Sequence, residues 1–206
     1  MLQELFKGTT GKIVIAFNVI FIIVFSILGI RKGAIKGNDS WVYFGAARAL
    51  TTSEDIYSTN YPARPDGGSL RPYLYPPPFA ILLIPLASLG NCYAGAIWGI
   101  LNVLVSLLVI YLSIILCKQQ DGIYYKITAV IPLIICFRFF DSNIQNGQVN
   151  AIVLLFMLLG LYLFQNNRDF FAGLALAFAT AIKLTPLIFF GYFYISESGK
   201  SVKVSS

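Results

Sequence analysis

The sequence predicts an all-α protein, a multi-pass transmembrane helical bundle. Three observations carry that expectation. Of 206 residues, 57% are hydrophobic and only 12% are charged, against roughly 25% charged in a soluble domain. The apolar residues fall in runs long enough to be helices in lipid. The charges lie almost entirely between those runs, as Lys7, Lys12, Arg31, Lys32, Lys118 and Lys126 do.

Several function classes are excluded by the same composition. The net charge of +6 comes from scattered Lys and Arg that form no stripe or block, so the basic residues fit lipid headgroups and not nucleic acid. Cys92, Cys117 and Cys136 are isolated, with no paired spacing, and the chain has no histidine. A disulfide framework, a metal site and the Ser-His-Asp or Cys-His nucleophile schemes are therefore not expected. No metal and no cofactor are called for.

Taken in order, Ile13 to Ile30 is an 18-residue run interrupted by Asn18 and Ser26, long enough to span and longer than a signal-peptide core. With Arg31 and Lys32 behind it, it reads as a retained signal anchor. Residues 31–78 form a polar, aromatic, proline-punctuated loop. Inside it, Asp39 to Leu50 reads as a short amphipathic helix with Asp39 or Ser40 near the N-cap, Trp41 and Tyr43 suiting the membrane interface, and Arg48 on the face of Trp41 and Phe44. Thr51 to Arg71 collects prolines, glycines and aspartates and reads as turns.

Phe79 to Gly90 is apolar but too short to cross a core of about 30 Å, so a partly inserted helix started by Pro76, Pro77 and Pro78 is expected. Ala94 to Leu116 reads as an uninterrupted span, Ile127 to Phe140 as a thinner one kinked at Pro132, and Val149 to Phe164 as another. Between the last two lies a polar island, Asp141 to Gln148. From Phe170 to Ile195 the chain is apolar around a single charge, Lys183. Pro186 predicts two short helices meeting there. An ionisable residue in such a run is a functional candidate by default.

The positive-inside rule favours the topology in which Phe79 to Gly90 does not cross. It places the 31–78 loop, the Asp141 to Gln148 island and the Lys183 turn together on the extracytoplasmic side of the cell membrane. Asp39, Gln145, Gln148 and Lys183 would then converge on one site.

The residues also resemble a known family. Asp39, Tyr43, Ala46, Ala47 and Leu50, then Asp55 and Tyr57, then Tyr75, Pro76, Pro77 and Phe79, then Pro85 and Leu86, are similar to the first outer loop of glycosyltransferase family 87. Asn146, Gly147, Gln148, Val149 and Asn150, and later Gly173 with Ile182, Lys183, Leu184, Thr185 and Pro186, resemble two further patches of it. The resemblance implies the N-terminal half of a GT-C fold enzyme, a polyprenol-phosphate-mannose-dependent mannosyltransferase. Implied with it are a lipid-linked sugar donor, a glycan or glycolipid acceptor, contact with membrane lipids and transfer with inversion.

Such a reaction needs a carboxylate to take the acceptor proton and a cation to meet the departing phosphate. Asp39 is the expected base. Lys183, Arg48 or Arg71 would neutralise the phosphate, and Gln145, Asn146 and Gln148 would bind sugar hydroxyls or donor. Asp55 is the next acidic candidate. Each has a plainer alternative: a helix cap for Asp39, a solvated turn for Asp55, snorkelling for Lys183, helix-start bonding for Gln145 and Gln148, and packing on aromatic rings for Arg48. Two other readings stay open. One is a small transporter or channel subunit with Lys183 and the Gln145 island along a permeation path; against it stands the lack of an internal repeat. The other is an inactive truncated fragment of the transferase.

Overall fold

The computed structural model describes residues 39–57, 72–116 and 138–192, with isolated positions at 16, 20, 23, 24, 26–28, 31, 35, 136 and 194. Most of the expected Ile13 to Ile30 anchor, the 58–71 part of the loop with Arg71, the Lys118 to Lys126 loop, most of the Ile127 to Phe140 span and the tail lie outside the described residues. Those described are helical with short connections and contain no strand. The all-α expectation holds.

The principal helices are α1 (Asp39–Thr51), α2 (Pro77–Ala87), α3 (Asn91–Leu116), α4 (Asn150–Gln165) and α5 (Asp169–Ile182). Residues 138–146 are helical as well and lead into α4. Among the described residues, α3 is the helix long and apolar enough to cross a membrane, with a mean hydropathy of 2.6 over its best window. Only 33% of that window is buried inside the protein, so most of its apolar surface has no protein cover. Helices α2, α4 and α5 are apolar but shorter.

Helix α1 is the centre of the fold, and here the amphipathic, interfacial expectation is corrected. Nine of its thirteen residues are buried, on all sides of the helix. Trp41 is 8% exposed and Tyr43 1%, so neither sits at an interface. Gly45, Ala46, Ala47 and Ala49 explain this. Side chains this small let neighbours approach the backbone closely, and a helix apolar all round belongs in a core. Helix α1 packs against α2 and α3 and shares one apolar core with Phe79, Ala80 and Leu83 of α2, Ala94 and Trp98 of α3, Val149, and Ala179 and Ile182 of α5.

Proline sets the start of α2 as expected. Pro76 is the N-cap in extended backbone, Pro77 and Pro78 occupy the first turn, and a missing N–H costs nothing there. The Tyr73 hydroxyl donates to the Pro76 carbonyl at 3.0 Å, which ties the chain before the helix to its cap. Eleven residues amount to about 16 Å.

Helices α4 and α5 form a hairpin joined by Asn166 to Arg168, with Asn167 in left-handed conformation at φ 57°. At Gly160 an added Cβ would stand 3.0 Å from Leu176 Cγ, so the absent side chain sets the spacing of the pair. After Ile182 the helix stops: Lys183 is extended at φ −149°, ψ 135°, and Thr185–Leu187 form a 3-10 turn. The break expected at Pro186 is present.

The polar island is mostly helical. Residues 141–146 continue a helix, and Gly147, Gln148 and Val149 turn the chain. The polar side chains are absorbed by i to i+4 bonds along that helix. Gln145 donates to Asp141, and Asn146 donates to Ser142 at 3.1 Å.

Candidate functional site

The three patches of polar and aromatic sequence meet in space, beginning at the turn around Gly147. Gly147 has φ +62°, and a Cβ there would lie 2.7 Å from Ser40 Oγ. The turn therefore rests directly on the first turn of α1, beside Asp39. Trp98 Nε1 donates to the Gly147 carbonyl at 2.8 Å from α3. Behind the turn, the fully buried Asn143 donates to Asn102 Oδ1 at 2.8 Å and accepts from the Ala151 N–H at 3.3 Å. The Asn143 carbonyl accepts from the Gln148 N–H at 2.9 Å. Polar pairs inside apolar helices are costly unless mutually satisfied; this one pins the turn to α3.

A substitution at this turn has a definite expected outcome. Gly147→Ala meets Ser40 and a positive φ together, so it should destabilise by about 1–3 kcal/mol. Gly173→Ala, with nothing within 4 Å of the new Cβ, should be neutral or slightly stabilising. Melting midpoints of the detergent-solubilised protein check the contrast. Equal midpoints for the two variants would contradict the close packing at Gly147.

From the turn a polar chain runs to Lys183. Asn150 Nδ2 donates to Gln148 Oε1 at 3.0 Å, and Lys183 Nζ donates to Asn150 Oδ1 at 2.9 Å. The extended backbone at Lys183 frees the side chain from the α5 barrel. Lys183 helps line a cavity of about 630 Å³, together with Tyr57, Leu74, Tyr75, Pro76, Leu184 and Thr185. The loop around Tyr75 and the break around Lys183 are thus two walls of one space.

Asp39 does not line the cavity but stands beside its Tyr75 wall. Its charge helps raise both the Tyr43 and Tyr75 phenols above the ordinary tyrosine range, after burial as the largest cause in each; for Tyr43 the neighbouring Tyr75 also ranks ahead of Asp39. Both phenols are neutral hydrogen-bonding groups at physiological pH. The Tyr43 hydroxyl donates to the Tyr75 hydroxyl at 3.2 Å, and their rings meet edge-on at 5.2 Å. The half-buried Asp39 is thus within electrostatic reach of two phenols, one of which lines the cavity with Lys183.

Other expected residues lie elsewhere or serve geometry. Arg48 is about 13 Å along α1 from Asp39. Its guanidinium donates to the Ala87 carbonyl at 3.3 Å and to Asn91 Oδ1 at 2.7 Å, stapling the α2–α3 junction. Asp55 accepts from the Tyr57 N–H at 2.9 Å in an Asx turn. Tyr57 in turn donates to the Tyr75 carbonyl at 3.1 Å, so Asp55 holds a wall of the cavity from outside it. Gln145 and Asn146 are on the helix before the turn and do not line the cavity. Residues overlooked as site candidates are Tyr57, Tyr75, Thr185 and Asn150. Asn150 closes the run Asn-Gly-Gln-Val-Asn, and its spacing of two from Gln148 was the available signal.

Comparison with known proteins adds the following. A sequence model of glycosyltransferase family 87 matches residues 73–204. A relative from Mycolicibacterium smegmatis, a polyprenol-phosphate-mannose-dependent alpha-(1-2)-phosphatidylinositol mannoside mannosyltransferase, is 26% identical over 168 residues, covering 75% of this chain and 37% of the relative. The protein of the same description from Mycobacterium tuberculosis is 23% identical over 207 residues, covering 87% of this chain and 47% of the relative. The chain spans less than half the length of either. No solved structure matches.

Proposed function

Because this chain belongs to glycosyltransferase family 87, we propose that it is a multi-pass membrane hexosyltransferase acting on the extracytoplasmic face. It moves mannose from a polyprenyl-phosphate donor to a glycan or glycolipid acceptor. The observation that carries this reading is the shared cavity: Lys183 and Thr185 on one wall, Tyr75 on the other, and Asp39 alongside.

The chemistry assigned to these groups is a single displacement. The Asp39 carboxylate accepts the proton of the acceptor hydroxyl as its oxygen attacks the anomeric carbon from the side opposite the phosphate. The carbon–oxygen bond to the phosphate breaks, and configuration inverts. The leaving phosphate is a weak base that needs positive charge more than a proton, and the Lys183 ammonium supplies it. Asn150 and Gln148 hold that ammonium toward the cavity. The apolar wall of Leu74, Leu184 and Pro76 suits the first units of a lipid chain.

Donor class is the direct test. Membranes containing the protein should transfer radiolabelled mannose from polyprenyl-phosphate mannose, and should not use a nucleotide-linked mannose when lipid-donor synthesis is blocked. Transfer from the nucleotide donor under that block would refute the reading.

A further inference from the structure

The cavity holds a group to which no role has yet been given, the Tyr75 hydroxyl. Its hydrogen-bond direction follows from its neighbours. The Tyr43 hydroxyl donates its proton to the Tyr75 oxygen at 3.2 Å. A hydroxyl carries one proton. With its oxygen already accepting from Tyr43, Tyr75 is left as a donor toward a third group.

The other groups around the cavity are engaged differently. The Tyr57 hydroxyl is used on the Tyr75 carbonyl. Lys183 commits one of its three N–H bonds to Asn150, which leaves two. Asp39 acts on Tyr75 through its charge, and no hydrogen bond joins the two side chains. None of the seven lining residues carries a carboxylate. The cavity thus offers the Tyr75 phenol and the Lys183 ammonium, with the Thr185 hydroxyl, as side-chain donors, a set that complements an oxyanion.

We propose that Tyr75 is a ligand-contacting residue whose hydroxyl, aimed by the buried Tyr43, donates to an oxygen of the donor lipid's phosphate opposite Lys183. Tyr43 is a positioning residue: it is 1% exposed, does not line the cavity, and acts through Tyr75. The Gln148 turn positions Lys183 through Asn150, and Tyr43 positions Tyr75. This assignment rests on the reading of the cavity as the donor site.

Binding measurements separate the two claims. The purified full chain in detergent is titrated with polyprenyl phosphate and with the corresponding polyprenol, and the shift in melting midpoint is read. Wild type should be stabilised by the phosphate and not by the alcohol. Tyr75→Phe keeps the ring and should need about 10- to 100-fold more polyprenyl phosphate for the same shift, the range for losing a hydrogen bond to a charged group. Tyr43→Phe should need about 3- to 10-fold more, since the Tyr75 hydroxyl is then present but unaimed.

Wild-type affinity in Tyr75→Phe would overturn this assignment and leave the donor site standing. Wild-type affinity in Tyr43→Phe would overturn the aiming role. No stabilisation of the wild type by either lipid would overturn the donor site and this assignment together. Should Tyr75→Phe lose cooperative melting, Tyr43→Phe carries the test, because it retains Tyr75.

Discussion

Asp39→Asn is expected to lower mannose transfer by about 10² to 10⁴, the range for removing a general base. The substitution keeps the size and planarity of the side chain at the first turn of α1, so the helix and the core around it should persist. An amide cannot take the acceptor proton, so the loss should appear in kcat with KM for the lipid donor little changed. The plainer role, a carboxylate favourably placed at a helix N-terminus, predicts something different: a loss of about 0.3–1 kcal/mol in stability and no effect on turnover. Single-turnover transfer and the melting midpoint, measured on one preparation, distinguish the two. Turnover equal to wild type would remove Asp39 from the chemistry.

Lys183→Ala is the second large expected effect, and its signature is the opposite one. Lys183 lines one cavity with Tyr75, and its ammonium is held by Asn150 at 2.9 Å, so its loss should weaken binding of the phosphate donor and slow its departure together. A fall in kcat/KM of about 10² to 10³ is expected, comparable with removing one preorganised donor to a developing anion. Lys183→Arg should recover part of it, because charge is restored while the bond to Asn150 is altered. Rising ionic strength should weaken donor binding in the wild type more than in Lys183→Ala. A snorkelling lysine with no ligand role would leave kcat/KM near wild type in the alanine variant.

These two residues were visible in the chain before any coordinates, for physical reasons. A carboxylate opening a run of helix formers, and a lone cation in a long apolar stretch beside proline, are local anomalies. Local anomalies survive in a linear reading. Helix boundaries were also largely readable: the prolines before Phe79, the small-residue and turn chemistry after Gln165 and the break at Pro186 each act on their own neighbours in the chain. The expected helices over 94–116 and 149–164 match Asn91–Leu116 and Asn150–Gln165 closely.

What the linear reading misjudged depended on contacts between distant residues. Helix α1 looked interfacial because Trp and Tyr prefer the membrane boundary; packing against α2 and α3 puts both in the core instead. Arg48, read as either packing or meeting a phosphate, donates to Ala87 and Asn91, partners 39 and 43 residues away in sequence that no linear reading could name. Tyr75 was legible only as part of the stretch resembling the family's first outer loop, and its contact with Tyr43, 32 residues earlier, came from the packing alone.

Helical class, apolar character and the chemistry-bearing residues are properties of short stretches, set by backbone propensity and by the cost of placing charge among apolar groups, and so they can be read along the chain. Which of those residues share a cavity is a different kind of property. It depends on the close approach of Gly147 to Ser40, on the Trp98 bond to the turn and on the Asn102–Asn143 pair. Each of these joins elements far apart in sequence, and each forms only once the bundle has packed.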